Sequence, residues 1–271
     1  MALPNPKVPR AGSYRFFAGM GILAAAYGLL IVGMLIADLG FTDWRRLKEA
    51  VSSEPIQYAI QLSLTTCTLA ALLSLLVAIP AGYLLARCQF RGKWLLDAIF
   101  DIPIVLPPLV VGLSLLILFQ TALGQAFEQN IFPVTYELPS VVLAQFTVAA
   151  SFAVRTMKVT YTQQDRRHED VARTLGCSRW QAFLRVVLPE SRQGVIAAGT
   201  LAWARALGEF GPILVFSGAT RMKTEVLPSS VFLELSVGNL EAALAVSLLM
   251  VFVAILVLSL ARYFGLRGSA W

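Results

Sequence analysis

The residues with the clearest capacity for chemistry are an arginine and a glutamate, Arg205 and Glu209, within a long apolar segment. Each costs about 2.5–3.5 kcal/mol to place at the centre of a bilayer, so both side chains are expected to face the interior of a helix bundle. They are four residues apart, which puts them on one face of a helix, where they can pair. Such a pair either fixes helix packing or gives a transport pathway or gate a polar lining. These two residues alone do not make the catalytic dyad of an intramembrane enzyme.

Other reactive residue types are sparse. His168 is the only histidine, so no Cys/His cluster predicts a structural metal site. Cys67 is expected inside a membrane span, and Cys88 and Cys177 in the reducing cytoplasm, so no disulfide is predicted. The phosphate-binding pattern GxxxxGK[ST] does not occur. We therefore expect this chain to be no enzyme, to hold no metal or cofactor, and to bind no ATP by itself.

A polar stretch from Thr162 to Gly194 separates two long apolar segments and is the only long stretch rich in charge. Gln164–Leu175 is predicted to form a short helix with acidic residues near its positive N-terminal end. Gly176 supplies a left-handed residue that ends a helix at low cost. Ser178 and Gln181 have the spacing of a capping box that starts a second helix. The stretch is therefore expected to be a folded element at the membrane surface.

The second helix of this stretch carries an apolar stripe with the spacing i, i+3, i+4 and i+7. Its members are Trp180, Phe183, Leu184 and Val187. Pro189 is expected to end the helix, because proline lacks the amide donor. Two interpretations fit these spacings. Either two amphipathic helices lie on the bilayer without a partner, or they dock into a groove on a soluble protein.

The composition is that of a membrane protein. The chain has 271 residues, of which 57% are hydrophobic and 14% charged, and its mean hydropathy is +0.71. Soluble domains carry about 25% charged residues. Runs long enough to cross a bilayer are expected to be helical, since backbone groups have no water to bond inside lipid. Six such runs occur, at 16–37, 58–86, 94–120, 140–161, 194–217 and 241–262. The predicted fold is all-α with six transmembrane helices.

Lys and Arg residues set the expected orientation, since cytoplasmic loops of membrane proteins carry an excess of them. With the N-terminus inside, 16 of the 22 would lie on the cytoplasmic side, five outside and one within a span. This predicts an N-in, C-in topology with the polar stretch in the cytoplasm between spans 4 and 5. The net charge of +6 follows from this topology and gives no support to nucleic-acid binding. The expected parts are a cytoplasmic N-terminal segment (1–15), the first transmembrane helix and outer loop (16–57), a transmembrane domain (58–262) and a cytoplasmic tail (263–271).

The polar stretch resembles the EAA loop of ABC-importer permeases, whose pattern is Glu-Ala-Ala, three residues, Gly, nine residues, then Ile-x-Leu-Pro. This sequence has Asp170-Val171-Ala172, then Gly176, then Val186-Val187-Leu188-Pro189, with every spacing kept. The departures are Asp for Glu, Val for Ala and Val for Ile, and Glu169 just before can supply the longer acid. The resemblance implies that residues 164–189 form coupling helices that dock into a cleft on a cytoplasmic ATPase. The coupling residues it implies are Glu169, Asp170, Ala172, Gly176, Trp180, Leu188 and Pro189.

A second string, ARALGEFG at 204–211, looks like that of permeases for the tetrahedral oxyanions molybdate, tungstate and sulfate. The segments 101–108, 224–228 and 238–243 are similar to the same group, and the resemblance covers roughly 58–262. It implies a subunit that carries such an oxyanion into the cell. A permease for thiamine, ferric iron or phosphate is the alternative within the family. A secondary transporter is a further alternative, but it would need paired broken spans, and only one proline-rich span is evident.

The third span contains Pro103, Pro107 and Pro108, which remove helix amides and free carbonyl groups one turn back. A helix that faces lipid would tolerate this badly, so a kink that faces protein or a water-filled path is expected. Such a kink serves either packing or gating. The candidates for the translocation pathway are Arg205, Glu209, Pro103 and Pro107.

Two carboxylates, Asp97 and Asp101, lie one turn apart near the cytoplasmic end of this span and would repel each other if buried and unpaired. A cation such as Lys93 or Arg155 is expected to neutralise them.

The resemblance also implies partners and a place in the cell. The partners are a cytoplasmic ABC ATPase dimer, a second copy of the permease or a homologous one, and an extracytoplasmic substrate-binding protein that meets the outer loops. Membrane lipid surrounds the chain, and ATP and Mg bind the partner ATPase, which carries out the hydrolysis. The expected location is the cytoplasmic (inner) membrane of a bacterium or archaeon, crossed several times.

Overall fold

The computed structural model describes residues 11–41 and 44–267, and every regular element in those residues is helical, as predicted. Much of the predicted N-terminal segment (1–10) and the last residues of the predicted tail (268–271) lie outside the described residues. A π-helical stretch, Phe183–Val187, joins the ninth helix to the tenth. The α-helices are, in chain order, α1 (Ala11–Phe41), α2 (Trp44–Ser52), α3 (Glu54–Arg87), α4 (Lys93–Val105), α5 (Pro108–Gln120), α6 (Ala122–Asn130), α7 (Leu138–Gln163), α8 (Arg166–Thr174), α9 (Arg179–Ala182), α10 (Leu188–Glu190), α11 (Arg192–Leu207), α12 (Gly211–Phe216), α13 (Leu227–Ser236) and α14 (Leu240–Arg267).

The core is the packing of α3 against α7, with α11 laid across both. Small side chains face each other in this packing, and Ala70, Ala78, Ala149 and Ala153 are completely buried. A methyl group on Gly82 of α3 would lie 2.7 Å from Met157 Cβ of α7, so the two backbones are in direct contact there. Lipid tails are as apolar as leucine, so such close van der Waals packing is what holds membrane helices together.

Four described helices are long and apolar enough to cross a membrane. They are Phe16–Phe41, Glu54–Arg87, Leu138–Gln163 and Leu240–Ser259, which correspond to the first, second, fourth and sixth predicted runs. A fifth span exists if α4 and α5 are counted as one bent pair.

The third predicted run is sharply bent, since the axes of α4 and α5 differ by 114°. Leu106 and Pro107 have extended backbones with ψ of 139° and 135°, because each precedes a proline whose ring disfavours the helical conformation. Pro108 then starts α5, where its missing amide costs nothing. Pro103 stays inside α4. The break therefore lies at the paired prolines.

The fifth predicted run is not one continuous helix. The first part, α11, ends at Leu207, and the second part, α12, begins at Gly211. The glycines at 208 and 211 permit this break, which gives the chain a second interrupted run besides the proline-rich one. The two breaks meet in space: a methyl group on Gly112 of α5 would lie 2.7 Å from Pro212 Cα of α12.

The first span, α1, is the least integrated part of the described chain. None of the apolar window in Phe16–Phe41 is buried. The cavity between α1 and α14 measures about 420 Å³ and is lined almost entirely by apolar side chains, among them Leu39 and Phe252. This surface must be covered by lipid or by another membrane protein, because water does not solvate it favourably.

Candidate functional site

The polar stretch folds into two short helices joined at a glycine, as predicted. Asp165 caps the first helix, since its Oδ1 accepts a hydrogen bond of 3.0 Å from the Arg167 amide. The helix ends in the turn at Gly176, whose φ is +92°. Ser178 and Gln181 form the predicted capping box, with reciprocal bonds of 2.9 and 3.3 Å. The ends of this element are therefore set by contacts between residues close in sequence.

The second helix differs from its prediction after Ala182. The chain widens into the π-helical stretch, in which the Leu188 amide bonds to the Phe183 carbonyl five residues earlier. Helical turns continue to Glu190, so the expectation that Pro189 ends the helix was wrong. The wider turn changes the helical register, and this allows proline to follow without a clash.

This change of register divides the predicted apolar stripe. Phe183 and Val187 are buried in the core, whereas Leu184 and Trp180 are 41% and 66% exposed. Trp180 lies stacked beside Phe183, with ring centroids 5.9 Å apart. The exposed pair leaves an apolar patch on the polar stretch that nothing in the described chain covers.

The two acids of the EAA-like motif differ in burial and in their contacts. Glu169 is partly buried and accepts a 2.6 Å hydrogen bond from the Tyr83 hydroxyl of α3. Asp170 is exposed, and Ala172 is buried. The sequence could not assign these roles, because Tyr83 is 86 residues away from Glu169. Only the fold brings the two together.

A cavity of about 550 Å³ lies between the end of α3 and the two short helices. Glu169, Asp170 and Trp180 all line it, so the structure brings three predicted coupling residues to one place. Leu188 and Pro189 do not line this cavity. Four arginines also line it, and the sequence analysis did not single them out: Arg87, Arg166, Arg173 and Arg179.

The predicted pair between Arg205 and Glu209 is present. Arg205 Nη1 lies 2.7 Å from Glu209 Oε1, and the guanidinium lies 5.6 Å from the centroid of the Phe152 ring. The Glu209 side chain is 1% exposed and that of Arg205 is 30% exposed. Glu209 falls in the break between α11 and α12, so the pair joins the end of one helix to the non-helical segment after it.

The neighbouring break, between α4 and α5, holds one of the two predicted pathway prolines, Pro107. Gly211, at the start of α12, lies against α5, since a methyl group there would be 3.0 Å from Pro108 Cβ. Pro107 precedes that contact, whereas Pro103 lies in α4, before the bend. A polar pair and two helix breaks are therefore concentrated in one part of the bundle.

Both carboxylates of α4 are paired with cations of α7. Arg155 Nη1 lies 2.5 Å from Asp101 Oδ2, as expected for one of the two cations named from the sequence. Asp97 is paired with Lys158 at 2.6 Å, and Lys93 is not its partner. The spacing of Arg155 and Lys158, three residues apart on α7, matches the one-turn spacing of the two aspartates. These two bridges fasten α4, which has no buried residue of its own, to the core.

On the side opposite the polar stretch, ion pairs tie the loops together. Arg221 Nη2 lies 2.6 Å from Glu234 Oε1, and Lys223 Nζ lies 2.5 Å from Glu137 Oε1. These bridges connect the segment after α12 to α13 and to the start of α7.

Glu128, in α6, stabilises the turn that follows it. The pKa of this carboxyl lies below its ordinary value, chiefly because the Thr135 amide donates a 2.6 Å hydrogen bond to it. The Val134 amide donates a second bond of 3.0 Å. Both bonds favour the ionised form.

The described residues contain no group of His, Cys, Asp and Glu side chains that could hold a metal ion. The polar groups described above are paired structurally or exposed at a surface, and no nucleophile lies beside a base among them. The geometry is therefore that of a helical membrane domain with a folded polar stretch between α7 and α11.

Comparison with known proteins agrees with this architecture. Residues 78–267 match the family described as binding-protein-dependent transport system inner membrane component. The sulfate transport system permease protein CysT of Escherichia coli is 30% identical over 232 residues, which are 85% of this chain and 84% of that protein. The molybdate/tungstate transport system permease protein WtpB of Pyrococcus abyssi is 34% identical over 199 residues, 73% of this chain and 75% of that protein.

A solved structure shares the fold at low sequence identity. A chain of the bacterial alginate ABC transporter, in complex with a periplasmic protein bound to an alginate pentasaccharide, superposes with a TM-score of 0.75. The identity is 15%, and the match covers 95% of this chain and 96% of that chain.

Proposed function

Because the chain belongs to the family of binding-protein-dependent transport system inner membrane components, we propose that it carries a tetrahedral oxyanion into the cell as the permease subunit of an ABC importer. The candidate cargoes are sulfate, molybdate and tungstate. The observation that carries this proposal is the similarity to permeases named for these anions, which extends over 73–85% of the chain. The chain itself is a permease and does not catalyse a reaction.

The proposed topology has six spans with both termini in the cytoplasm. In this arrangement α11 and α12 together make the fifth span, although α12 has only six residues. The excess of Lys and Arg in the cytoplasmic loops supports this orientation. It places α8, α9 and α10 in the cytoplasm, and the chain in the inner membrane.

The ATPase is proposed to dock on α8, α9 and the residues up to Pro189. The exposed acid Asp170 and the exposed apolar side chains of Trp180 and Leu184 support this. An exposed apolar patch rimmed by charge is typical of a protein interface. ATP and Mg would be held by that partner, whose closure would move the docked loops of two permease subunits together.

A second copy, or a related permease, would complete the pathway. The unburied apolar surface of α1 supports a protein or lipid neighbour there. Arg205 is the proposed polar contact in the pathway, because its side chain is 30% exposed although it lies in a long apolar segment. The crossing of α5 and α12 is the proposed gate, since both helices are broken beside it and can tilt about those breaks.

The test is ATP hydrolysis by the permease–ATPase complex in liposomes with its substrate-binding protein, titrated with molybdate, tungstate, sulfate and phosphate. Stimulation by one of the first three at low concentration is the expected result and names the cargo. Stimulation by phosphate alone, or by none of the four with the ATPase still bound, would refute the assignment of an oxyanion of this group.

A further inference from the structure

The cytoplasmic end of α3 is joined to the first coupling helix, α8, by side chains far apart in sequence. The Tyr83 hydroxyl donates a 2.6 Å hydrogen bond to Glu169 Oε1. Arg87, one turn further along α3, places its Nε 4.0 Å from Glu169 Oε2. The side chains of Arg87 and Glu169 are 8% and 14% exposed. We call these three residues the α3 latch.

Backbone contacts extend this connection on both sides of the latch. Arg87 Nη2 donates a 3.2 Å hydrogen bond to the carbonyl of Gln164, which precedes α8. Arg166, in the first turn of α8, donates a 3.2 Å bond to the carbonyl of Ala86. Helix α3 and the start of the α8 region therefore each contribute an arginine that donates a hydrogen bond to a backbone carbonyl of the other. Two reciprocal bonds of this kind fix both the distance and the angle between the elements.

The second short helix meets the same tyrosine. The ring of Phe183 lies 4.8 Å from that of Tyr83, in an edge-to-face arrangement. The ring of Tyr161, on α7, lies 5.7 Å from Tyr83 on its other side. Tyr83 is thus the one side chain of α3 in ring contact with both the coupling loop and α7, within the described residues.

We propose that the α3 latch carries the movement of the docked coupling loop into the core of the membrane domain. This rests on the proposed function, in which an ATPase moves α8. The chain connects the loop covalently to α7 and α11 only, so α3 receives the movement through side chains. Tyr83 and Arg87 are positioning residues, since they act through α8 and touch neither ATP nor cargo.

The physical reason is the stiffness of the contact. A hydrogen bond from a hydroxyl to a carboxylate is short and roughly twice as strong as one between neutral groups. It lies between a helix of the core, packed by alanines along its length, and a helix on the surface. A displacement of α8 therefore either moves α3 with it or breaks the latch. Coupling between sites is carried by such contiguous networks with discrete arrangements.

The decisive variant is Tyr83→Phe, which removes the hydroxyl and keeps the ring that packs on Phe183. The measurement is anion taken up per ATP hydrolysed by the reconstituted complex with its ATPase and binding protein. We expect this ratio to fall about fivefold or more, the low end for a coupling between two sites. The matched control is Tyr161→Phe. It also removes a hydroxyl from this cluster of rings, but the Tyr161 hydroxyl makes no hydrogen bond to α8. Its ratio is expected to stay that of the wild type.

A second series examines the acceptor. Glu169→Gln keeps an oxygen for the Tyr83 hydroxyl but loses the charge, whereas Glu169→Leu loses both. Uptake per ATP is expected to fall in the order wild type, Gln, Leu. This graded loss distinguishes a coupling role from a merely structural one, which would lower bound ATPase or protein yield without changing the ratio.

The outcomes separate the latch from the proposed function. A wild-type complex that takes up none of the oxyanions would overturn the proposed function, whatever the variants do. A wild-type complex that transports, with Tyr83→Phe at the same uptake per ATP, would overturn the latch. The latch is also overturned if Tyr83→Phe only weakens ATPase binding while each hydrolysed ATP still moves as much anion.

Discussion

Substitution of Gly176 gives a direct measure of how far the proposed coupling loop depends on its backbone shape. The residue has φ of +92°, and a side chain built there meets no atom within 4 Å. Crowding therefore contributes nothing, and the cost of any substitution comes from the backbone alone. An L-residue in the left-handed region loses roughly 1–2 kcal/mol, and asparagine tolerates the region better than alanine. Valine is the least tolerant, because its Cβ is branched.

If docking requires this turn, the conformational cost appears as lost affinity for the ATPase. A cost of about 1–2 kcal/mol corresponds to roughly a 5–30-fold weaker complex for Gly176→Ala. We expect Gly176→Asn to lose less than this and Gly176→Val to lose more. The assay is the equilibrium dissociation constant of the detergent-solubilised permease for its ATPase, with Gly33→Ala in α1 as the control. Gly33 also has open space at its Cβ but no positive φ.

The order of ATPase affinity among the three Gly176 variants is the most informative result of this test. Equal affinity for the asparagine, alanine and valine proteins would show that the left-handed turn is not needed in the bound state. A large loss in Gly33→Ala would show instead that the assay reports general damage to the membrane domain.

Two further predictions concern charged groups. The low pKa of Glu128 means that its ionised form stabilises the fold above the pKa of an unfolded glutamate, and that this contribution is lost as the pH falls through the folded value. Thermal unfolding between about pH 7 and pH 3 should therefore show a smaller loss of stability in Glu128→Gln than in the wild type, and identical curves would contradict the assignment. Removing the guanidinium in Arg205→Met should destabilise the protein by about 3 kcal/mol, the low end for a broken buried pair, because Arg205 is partly exposed while Glu209 is not. The double variant Arg205→Met/Glu209→Gln should recover part of this in the same thermal assay, and a further loss would mean that the pair is not what stabilises this region.

The features predicted well from the sequence depend on neighbours within a few residues. The cap at Ser178, the turn at Gly176 and the pair of Arg205 with Glu209 each join groups no more than four residues apart or depend on a single backbone angle. Long apolar runs likewise predicted helices, because a backbone in lipid has no other way to bond its polar groups. The resemblance to the family was also visible in the sequence, because it rests on the spacing of residues within one stretch, 164–189.

The predictions that failed involve competition between local and distant contacts. Pro189 does not end the second short helix, because the π-helical stretch before it changes the helical register and helical turns continue to Glu190. Phe183, at the start of that stretch, is buried in the core. The break in the fifth run after Leu207 depends likewise on a distant contact, since α12 packs directly on α5 beside it. Neither the π-helical stretch nor the break after Leu207 produces a periodic pattern of residues that could be recognised in a single sequence.

The sequence by itself thus determined that this chain is helical, membrane-embedded and interrupted by a folded polar stretch, since those properties follow from composition and short-range spacing. Only the tertiary structure decided which acid is partly buried, which cation pairs with Asp97 and which helix meets the polar stretch. Glu169 and Tyr83 are 86 residues apart, and Asp97 and Lys158 are 61 apart. Contacts of that kind depend on how α3, α4 and α7 pack, because a side chain's partner is whichever group the helix packing brings within bonding distance.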